Sequence, residues 1–401
     1  MFKRAVAFAL LIPIASQGQG VTSGDARPLS LEEAIRLAQQ NSPSTVQARG
    51  QVRASDAAIR SAYGAFMPSL NVSFGSNRQG GSTFFQGDLV PFRGDPWNFS
   101  RGLNSNLEVF DGGRRFFNLR TARATQDAAE SNERLQMYNV EFSVKQQYFN
   151  ILAARESQGA AEAQLAQADE QFKAASARVA AGAATKSDSL RAIIQVGNAR
   201  LAVLTAENNV RVANASLTRL VGTPFQVTAA ISDSLVAAPM TVDSVQIAQW
   251  LQDSPPVRQA RFDLASARAA LRASKTPYLP TLSVGFNYSG SRTAETFAPT
   301  GGPFSSSYAT RLTLSYPVFN GFQREENVAR ADVAESNAAA VLRDAQLAVQ
   351  QQLTQHLGAL RLAESRVAIQ QATVAAAEED VRVQSQRYTL GSSTQIGRAH
   401  V

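Results

Sequence analysis

Side chains that commonly perform acid–base, nucleophilic or metal chemistry are scarce in this sequence. The chain of 401 residues contains two histidines, His356 and His400, and no cysteine. The lack of cysteine excludes thiol catalysis, disulfides and cysteine-based metal sites. His356 lies in a long helix-forming stretch, where a structural role is expected, and no nucleophile–base pair, metal-ligand cluster or phosphate-binding loop is apparent. The residue types therefore argue against an enzyme and predict no cofactor and no metal site.

The charge distribution bears on possible partners of the protein, and the N-terminal segment bears on its cellular compartment. The formal net charge is +7, and no block of Lys and Arg is dense enough to indicate a nucleic-acid partner. Lys3 and Arg4 precede an apolar run from Ala5 to Ala15, which predicts a signal peptide over residues 1–20 and an exported protein. No later apolar run has the length of a membrane-spanning helix.

The sequence predicts long helices, which would position the functional residues. Between Gly112 and Gly182 the chain has no proline and is rich in Ala, Gln, Glu, Arg and Leu. This composition predicts one helix on the order of 100 Å long. A turn at Gly182 leads to a second long helix, Thr185 to Val221. Apolar residues recur at every seventh position in two series, Val196, Val203, Val210 and Leu217, and Leu360, Val367, Val374, Val381 and Tyr388. The repeats predict antiparallel coiled-coil packing.

Two stretches alternate between apolar and polar residues and predict β-strands. Leu70, Val72 and Phe74 follow Pro68, and a return strand is expected from Ser100 to Phe110. The pattern restarts after Pro280, 212 positions later (280 − 68). The sequence Phe110, Asp111, Gly112 reappears as Phe319, Asn320, Gly321, and the pair Arg178 and Gly182 reappears as Arg387 and Gly391, each 209 positions later (391 − 182). This agreement indicates an internal duplication.

The duplication predicts the domain organisation. The first repeat spans residues 21–224, with a β-hairpin over 68–110 and a long helical hairpin over 112–222. A linker is expected over 225–241, and the second repeat over 242–395, with a β-hairpin over 280–319 and a long helix over 321–389. The segments Ser76–Asn98 and Gly290–Ser307 are expected to be loops at the cell exterior, since the other strand ends join helices.

Aromatic residues favour a membrane location for the strands. Of the 31 Phe, Tyr and Trp residues, 20 lie in residues 63–117 and 278–322. Aromatic girdles and alternation are typical of outer-membrane barrels. A soluble sandwich is the alternative, but two strands per repeat are too few for a soluble sheet core. Two hairpins cannot close a barrel, and lipid does not tolerate open edges, so closure requires several copies of the chain.

These motifs together resemble the TolC-like outer membrane efflux protein family. The resemblance rests on Leu31 to Ile35, on the prolines before the strands, on the strand-to-helix glycines and on both helix-tip motifs. It implies a mainly α fold of long antiparallel coiled-coil helices, with four strands per protomer in a shared twelve-stranded barrel of a homotrimer in outer membrane lipid. It also implies a helical tunnel in the periplasm, with a periplasmic adaptor and an inner-membrane pump as partners.

The resemblance also implies roles for residues at the helix tips. Asp188 and Tyr388 correspond to a periplasmic gate, in which a hydroxyl–carboxylate hydrogen bond latches the closed end. Arg178, Gly182, Arg387 and Gly391 correspond to tip turns that dock the adaptor. Each gate residue also has a structural alternative: Asp188 as the N-cap of the next helix, and Tyr388 as the last residue of its apolar series. Both roles can hold at once.

The end of the chain departs from this plan. A long helix is expected after Gly391, mirroring Thr185 to Val221, but the sequence ends at Val401. The sequence of residues 396–401 is identical to that obtained by translating a common sequencing adapter. We therefore expect this tail to be non-native and the native chain to continue beyond Gln395.

Two function classes follow. The favoured one is a passive outer membrane exit duct of a tripartite efflux or type I secretion system, for small molecules or proteins. The alternative is a periplasmic coiled-coil adaptor or scaffold, which explains the helices but not the duplicated aromatic-rich hairpins.

Overall fold

The computed structural model describes residues 26–230 and 244–389, apart from 79, 86 and 92–96. The predicted signal peptide, the tip residue Gly391 and the tail over 396–401 lie outside the described residues. The elements in chain order are β1 (Arg27–Leu29), α1 (Leu31–Asn41), α2 (Pro43–Gly64), β2 (Ser69–Arg78), β3 (Ser82–Phe85), β4 (Asp88–Pro91), β5 (Trp97–Phe110), α3 (Arg114–Ala180), α4 (Lys186–Val221), β6 (Val227–Ala229), α5 (Ser244–Asp253), α6 (Pro255–Ser274), the 3-10 turn Thr276–Tyr278, β7 (Thr281–Ala294), β8 (Ser305–Ser315) and α7 (Gln323–Thr389).

The two longest helices confirm the prediction made from composition. Helices α3 and α7 each have 67 residues, and neither contains proline. Helix α1 begins as its sequence indicates, because the Ser30 hydroxyl accepts a hydrogen bond from the Glu33 amide at 3.3 Å. Among the described residues, no helix combines the length and the apolar character needed to cross a membrane.

The chain divides into two compact units. The first comprises residues 1–45 and 137–237, and the second comprises 46–136 and 238–401. The units therefore do not coincide with the two sequence repeats. The β-hairpins of both repeats lie in the second unit, together with the N-terminal part of α3 and all of α7.

The first unit has a core centred on Tyr148 of α3, whose side chain is fully buried. Its hydroxyl donates to the Leu29 carbonyl at 3.0 Å and accepts from the Ala230 amide at 3.0 Å. These two backbone groups flank β1 and β6, which pair in parallel. Strand β6 falls within the segment predicted as a linker, residues 225–241. A single tyrosine thus joins the long helix to both short strands.

The helical hairpin of the first unit packs as the seven-residue repeat predicts. Val203 and Leu217 of α4 are buried. Val203 clusters with Ala206 and with Ala161 of α3, and the small alanine side chains let the helices approach closely.

The second unit contains a four-stranded antiparallel sheet in the order β2-β5-β7-β8. The central pair, β5 and β7, joins the two repeats. The expected loop limits are wrong, because Ser76 to Arg78 and Gly290 to Ala294 continue the strands, and β5 and β8 begin at Trp97 and Ser305. Strands β3 and β4 form a separate small hairpin between β2 and β5. The polar residues that suggested loops are paired within the sheet. Those at the end of β2 pair with Trp97 to Phe99, and the first residue of β8 pairs with Ser291.

Candidate channel wall and helix tip

The four-stranded sheet has one polar face. Directly paired residues of neighbouring strands share a face, so the row Asn71, Asn104, Asn287 and Ala309 marks one side. The remaining residues with the same alternation are Ser, Thr, Asn or Gly, with two charged exceptions, Glu108 and Arg311.

The two charges on the polar face differ in their pairing. Glu108 forms an ion pair with Arg114 at 3.1 Å, at the end of the sheet next to α3. Arg311 lies further along the same face, beside Asn106 and Gly285. No ion pair to Arg311 occurs within the described part of the chain. Among the described residues, the polar face therefore presents one positive charge without an ion pair.

The opposite face of the sheet is apolar and exposed. Phe74 is 81% exposed and Leu314 is 71% exposed. The apolar residues of this face are Leu70, Val72, Phe74, Trp97, Phe99, Leu103, Leu107, Phe110, Leu282, Val284, Phe286, Tyr288, Ala294, Tyr308, Leu312 and Leu314. A contiguous exposed apolar surface of this size is typical of a membrane or protein contact.

Both edges of the sheet are open. Within the described residues, strands β2 and β8 each pair on one side only, and every residue of both strands is exposed. Unpaired edge groups are costly in lipid, so an apolar-faced sheet in a membrane must pair its edges with other strands.

The strand-to-helix junctions are built alike in the two repeats. The Arg115 guanidinium donates to the Val109 carbonyl at 3.2 Å and lies over the Phe66 ring at 5.1 Å. Arg324, 209 positions later (324 − 115), donates to the Val318 carbonyl at 3.3 Å and lies over the Tyr278 ring at 4.7 Å. Each arginine links the backbone just before the junction to the start of the long helix.

The first junction has an additional acidic cap. Asp111, 3% exposed, accepts from the Gly113 amide at 3.1 Å and from the Arg115 amide at 3.0 Å. Gly112 has φ of 69°, and a Cβ there would lie 2.8 Å from the Thr276 carbonyl oxygen. Gly112 is thus required by both conformation and space, whereas its repeat Gly321, with φ of 68° and no atom within 4 Å of an added Cβ, is required by conformation alone.

The first helix tip contains three of the residues singled out in the sequence. Gly182 has φ of 73°, its amide donates to the Val179 carbonyl at 3.0 Å, and the Ala183 amide donates to the Arg178 carbonyl at 2.8 Å. These bonds form a Schellman motif that ends α3. The tip is therefore a defined turn, and Arg178 contributes its carbonyl to it.

Asp188 stabilises the start of α4. Its carboxylate accepts from the Thr185 hydroxyl at 2.7 Å and from the Thr185 amide at 3.1 Å. The interpretation of Asp188 as the N-cap is wrong by three residues, because Thr185 occupies that position and Asp188 lies at the third residue of the helix. The Thr185 hydroxyl first, and then its amide, lower the pKa of Asp188, because both bonds favour the ionised carboxylate.

The second helix tip is less completely described. Arg387 and Tyr388 belong to the last turn of α7, but their side chains lie outside the described part of the structure, as does Gly391 entirely. The pairing of Tyr388 with Asp188 thus stays a prediction. His356 is exposed on α7, and no group of three metal-ligating side chains occurs among the described residues.

Replacing Gly182 with alanine is expected to destabilise the helical hairpin by about 1–2 kcal/mol, the cost of a left-handed conformation for an L-residue. No atom lies within 4 Å of the added Cβ, so the cost comes from the backbone alone. Gly159→Ala, in the interior of α3 with equally open space, is the matched control and should stabilise by about 0.5–1 kcal/mol. Urea unfolding measures both, and two changes of the same sign would contradict the assignment.

The start of α4 is expected to depend on pH in the acid range. Because the folded state lowers the pKa of Asp188, the ionised carboxylate stabilises the folded tip above its ordinary value of 3.8. This contribution disappears as the pH falls through the lower folded value. A nitroxide on a single cysteine at Ala184, in a chain without native cysteine, should become more mobile only at that acid pH. Asp188→Asn should abolish the pH dependence, and an unchanged transition would refute the role of Asp188.

A sheet with one polar and one apolar face, two open edges and long helices at one end defines the protomer of a membrane channel wall. The sequence profile of the outer membrane efflux proteins matches residues 34–223 and 246–397, two segments that begin 212 positions apart (246 − 34). The chain belongs to the outer membrane efflux protein family. The family consists of outer membrane channels and not enzymes, which confirms the predicted class, fold and location.

Individual relatives agree with the family assignment. The chain is 28% identical to protein CyaE of Bordetella pertussis, over 77% of this chain and 65% of CyaE. It is 24% identical to the outer membrane efflux protein BepC of Brucella suis, over 94% of this chain and 78% of BepC. The fold superposes on the CmeC outer membrane channel of Campylobacter jejuni with a TM-score of 0.75 and 17% identity, over 92% of this chain and 78% of CmeC. The chain thus spans slightly less than two-thirds of CyaE.

Proposed function

We propose that the protein is the outer membrane exit duct of a tripartite efflux or type I secretion system. In this proposal the sheets of three copies pair edge to edge and form one barrel of twelve strands. The polar faces of the sheets line a passive path to the exterior. The observation that carries the proposal is the two-faced sheet with both edges open. Four strands alone are half the number in the smallest bacterial outer-membrane barrel, so one chain cannot close a barrel by itself. The proposed number of three copies rests on family membership.

The helices provide a second support. Val367 and Val374 of the predicted heptad series are 56% and 55% exposed on α7. Exposed apolar residues at seven-residue spacing favour a neighbouring helix in the assembly. We infer that the helices form a periplasmic tunnel whose tips, at Arg178, Gly182, Arg387 and Gly391, dock a periplasmic adaptor and through it an inner-membrane pump.

Reconstitution into planar bilayers tests the proposal. The intact protein should have a trimeric mass in detergent and should produce discrete conductance steps. The rival class, a periplasmic coiled-coil adaptor or scaffold, predicts a water-soluble protein that leaves bilayers unchanged. A monomer that is stable without detergent and gives no steps would reject the duct and favour that rival.

The gate is part of the proposal. Replacing Asp188 and Tyr388 together with alanine is expected to raise the conductance of the closed duct severalfold, because a hydroxyl–carboxylate hydrogen bond would be lost at the periplasmic end. Thr185→Ala is the control, since it removes the hydroxyl that caps the helix with Asp188 but leaves the carboxylate in place. Unchanged conductance of the double variant would remove both residues from the gate.

A further inference from the structure

The apolar face of the sheet carries three arginines at the end farthest from the long helices, Arg78, Arg101 and Arg292, of which Arg101 and Arg292 lie next to each other. Arg101 of β5 lies between Phe74 of β2 and Gly290 of β7 in the register. Arg292 of β7 lies beside Phe99, one row further outward. Because side chains alternate between faces, both arginines share the face that carries Val72 and Tyr288. On a barrel in the outer membrane, this position corresponds to the outer leaflet.

The two guanidinium groups are held by aromatic rings. Arg101 lies over the Phe304 ring at 4.5 Å, and Arg292 lies over the same ring at 5.5 Å. Arg292 also lies over the ring of Phe99, a residue that is 3% exposed, at 4.9 Å. Stacking leaves the edges of a guanidinium group available for in-plane hydrogen bonds.

Neighbouring glycines make room for both side chains. A Cβ at Gly290 would lie 2.8 Å from Arg101 Nε, and a Cβ at Gly302 would lie 3.0 Å from a terminal nitrogen of Arg292. An open cavity of about 460 Å³ adjoins Arg101, lined by residues that include Phe74, Thr300 and Phe304, and Arg292 reaches its border through the Phe304 ring. The cavity is therefore cationic at one side and aromatic at the other.

No carboxylate neutralises these charges within the described part of the chain. Arg101 donates to the Tyr288 hydroxyl at 3.0 Å, and Arg292 donates to the Ala298 carbonyl. Both partners are neutral, and the Nε–H groups of both arginines are buried without an acceptor. Two adjacent cations without a carboxylate partner, beside an apolar surface, favour an anionic ligand that also carries apolar chains.

We propose that Arg101 and Arg292 form a binding site for the phosphate group of an outer-leaflet lipid, with the acyl chains lying along Phe74, Val72 and Tyr288. The proposal rests on the proposed function, because that function turns this face toward lipid. It adds a specific headgroup chemistry, that of a phosphorylated glycolipid of the lipid A type. Arginine suits this ligand because its planar fork binds phosphate oxygens in pairs.

The test compares lipids that differ in phosphate alone. The intact protein in detergent is titrated with bisphosphorylated lipid A, dephosphorylated lipid A and inorganic phosphate, and binding is measured by native mass spectrometry and by the thermal midpoint. Binding of the phosphorylated lipid should be at least about tenfold tighter than binding of either other ligand, and the Arg101→Gln, Arg292→Gln double variant should lose this preference. Arg311→Gln, which removes one charge from the polar face of the same sheet, should keep it.

Equal affinity for the two lipids would overturn the proposal, as would an unchanged preference in the double variant. Free phosphate binding as tightly as the lipid would also overturn it, because it would indicate an anion site unrelated to lipid. The wild-type comparison decides the question even where the double variant does not fold. Conductance of the same preparation distinguishes failure of the lipid site from failure of the proposed function. A conducting duct without lipid preference refutes the lipid site and leaves the proposed exit duct intact.

Discussion

Replacing Phe286 with arginine is expected to destabilise the membrane-inserted protein by about 2–4 kcal/mol per protomer. Phe286 lies in the middle of β7 on the apolar face, opposite Ser105 and Thr310, and is 39% exposed in the single chain. A charge at this depth would face the hydrocarbon interior with no partner. Urea unfolding from lipid vesicles measures the change, and the trimer multiplies the penalty by three.

The neighbouring residue provides a matched control. Asn287 follows Phe286 on the same strand but belongs to the polar face, beside Asn104. Asn287→Arg adds the same charge at the same depth and should be tolerated, because its side chain would face the aqueous path. Equal destabilisation by the two substitutions would show that the sheet does not separate lipid from water, and would contradict the assignment of its faces.

Replacing Arg311 with glutamate is expected to change the ion preference of the duct from anions to cations. Arg311 is the charge on the polar face that lacks an ion pair among the described residues, whereas Glu108 is paired with Arg114. Three copies would place a ring of positive charge in the path, and such rings select ions of opposite sign. The anion-to-cation permeability ratio should fall by at least about tenfold.

Reversal potentials in a salt gradient measure this ratio. Arg311→Gln should produce an intermediate value, since it removes the charge without inverting it. Arg292→Gln removes a charge from the opposite face of the sheet and should leave the reversal potential unchanged. A similar shift in both glutamine variants would indicate that the net charge of the protein, and not the lining of the path, controls selectivity.

The local parts of the fold were predictable because local physics determines them. The alternation of Leu70, Val72 and Phe74 identifies a two-faced strand, and the duplication identifies its counterpart after Pro280. The 67-residue helices follow from long stretches without proline. The N-cap of α4 was assigned to Asp188 and not to Thr185, although Thr185 and Asp188 have the spacing of a capping box that local pattern can identify.

The parts that were not predictable depend on contacts distant in sequence. The pairing of β5 with β7 joins Leu103 to Tyr288, and no local pattern specifies that register. The same pairing brings Arg101 and Arg292 to one face. The alternation alone could have indicated this face for each arginine, but their shared contact with Phe304 needs the register. The strands were predicted to be shorter than they are, because polar residues such as Ser76 and Asn77 are typical of loops. In the structure these residues pair in the sheet.

Cysteine cross-linking between the sheet edges tests the central claim most directly. Strands β2 and β8 of one chain are separated by β5 and β7, about 14 Å at the usual spacing, too far for a disulfide within a chain. The native sequence has no cysteine, so one cysteine at Asn71 can be combined in turn with one at Ser307, Ala309 or Thr313. At least one pair should give, on oxidation in membranes, covalent dimers and trimers and no larger species. Monomers alone in every combination, or a ladder that continues beyond three chains, would contradict a closed barrel of three protomers.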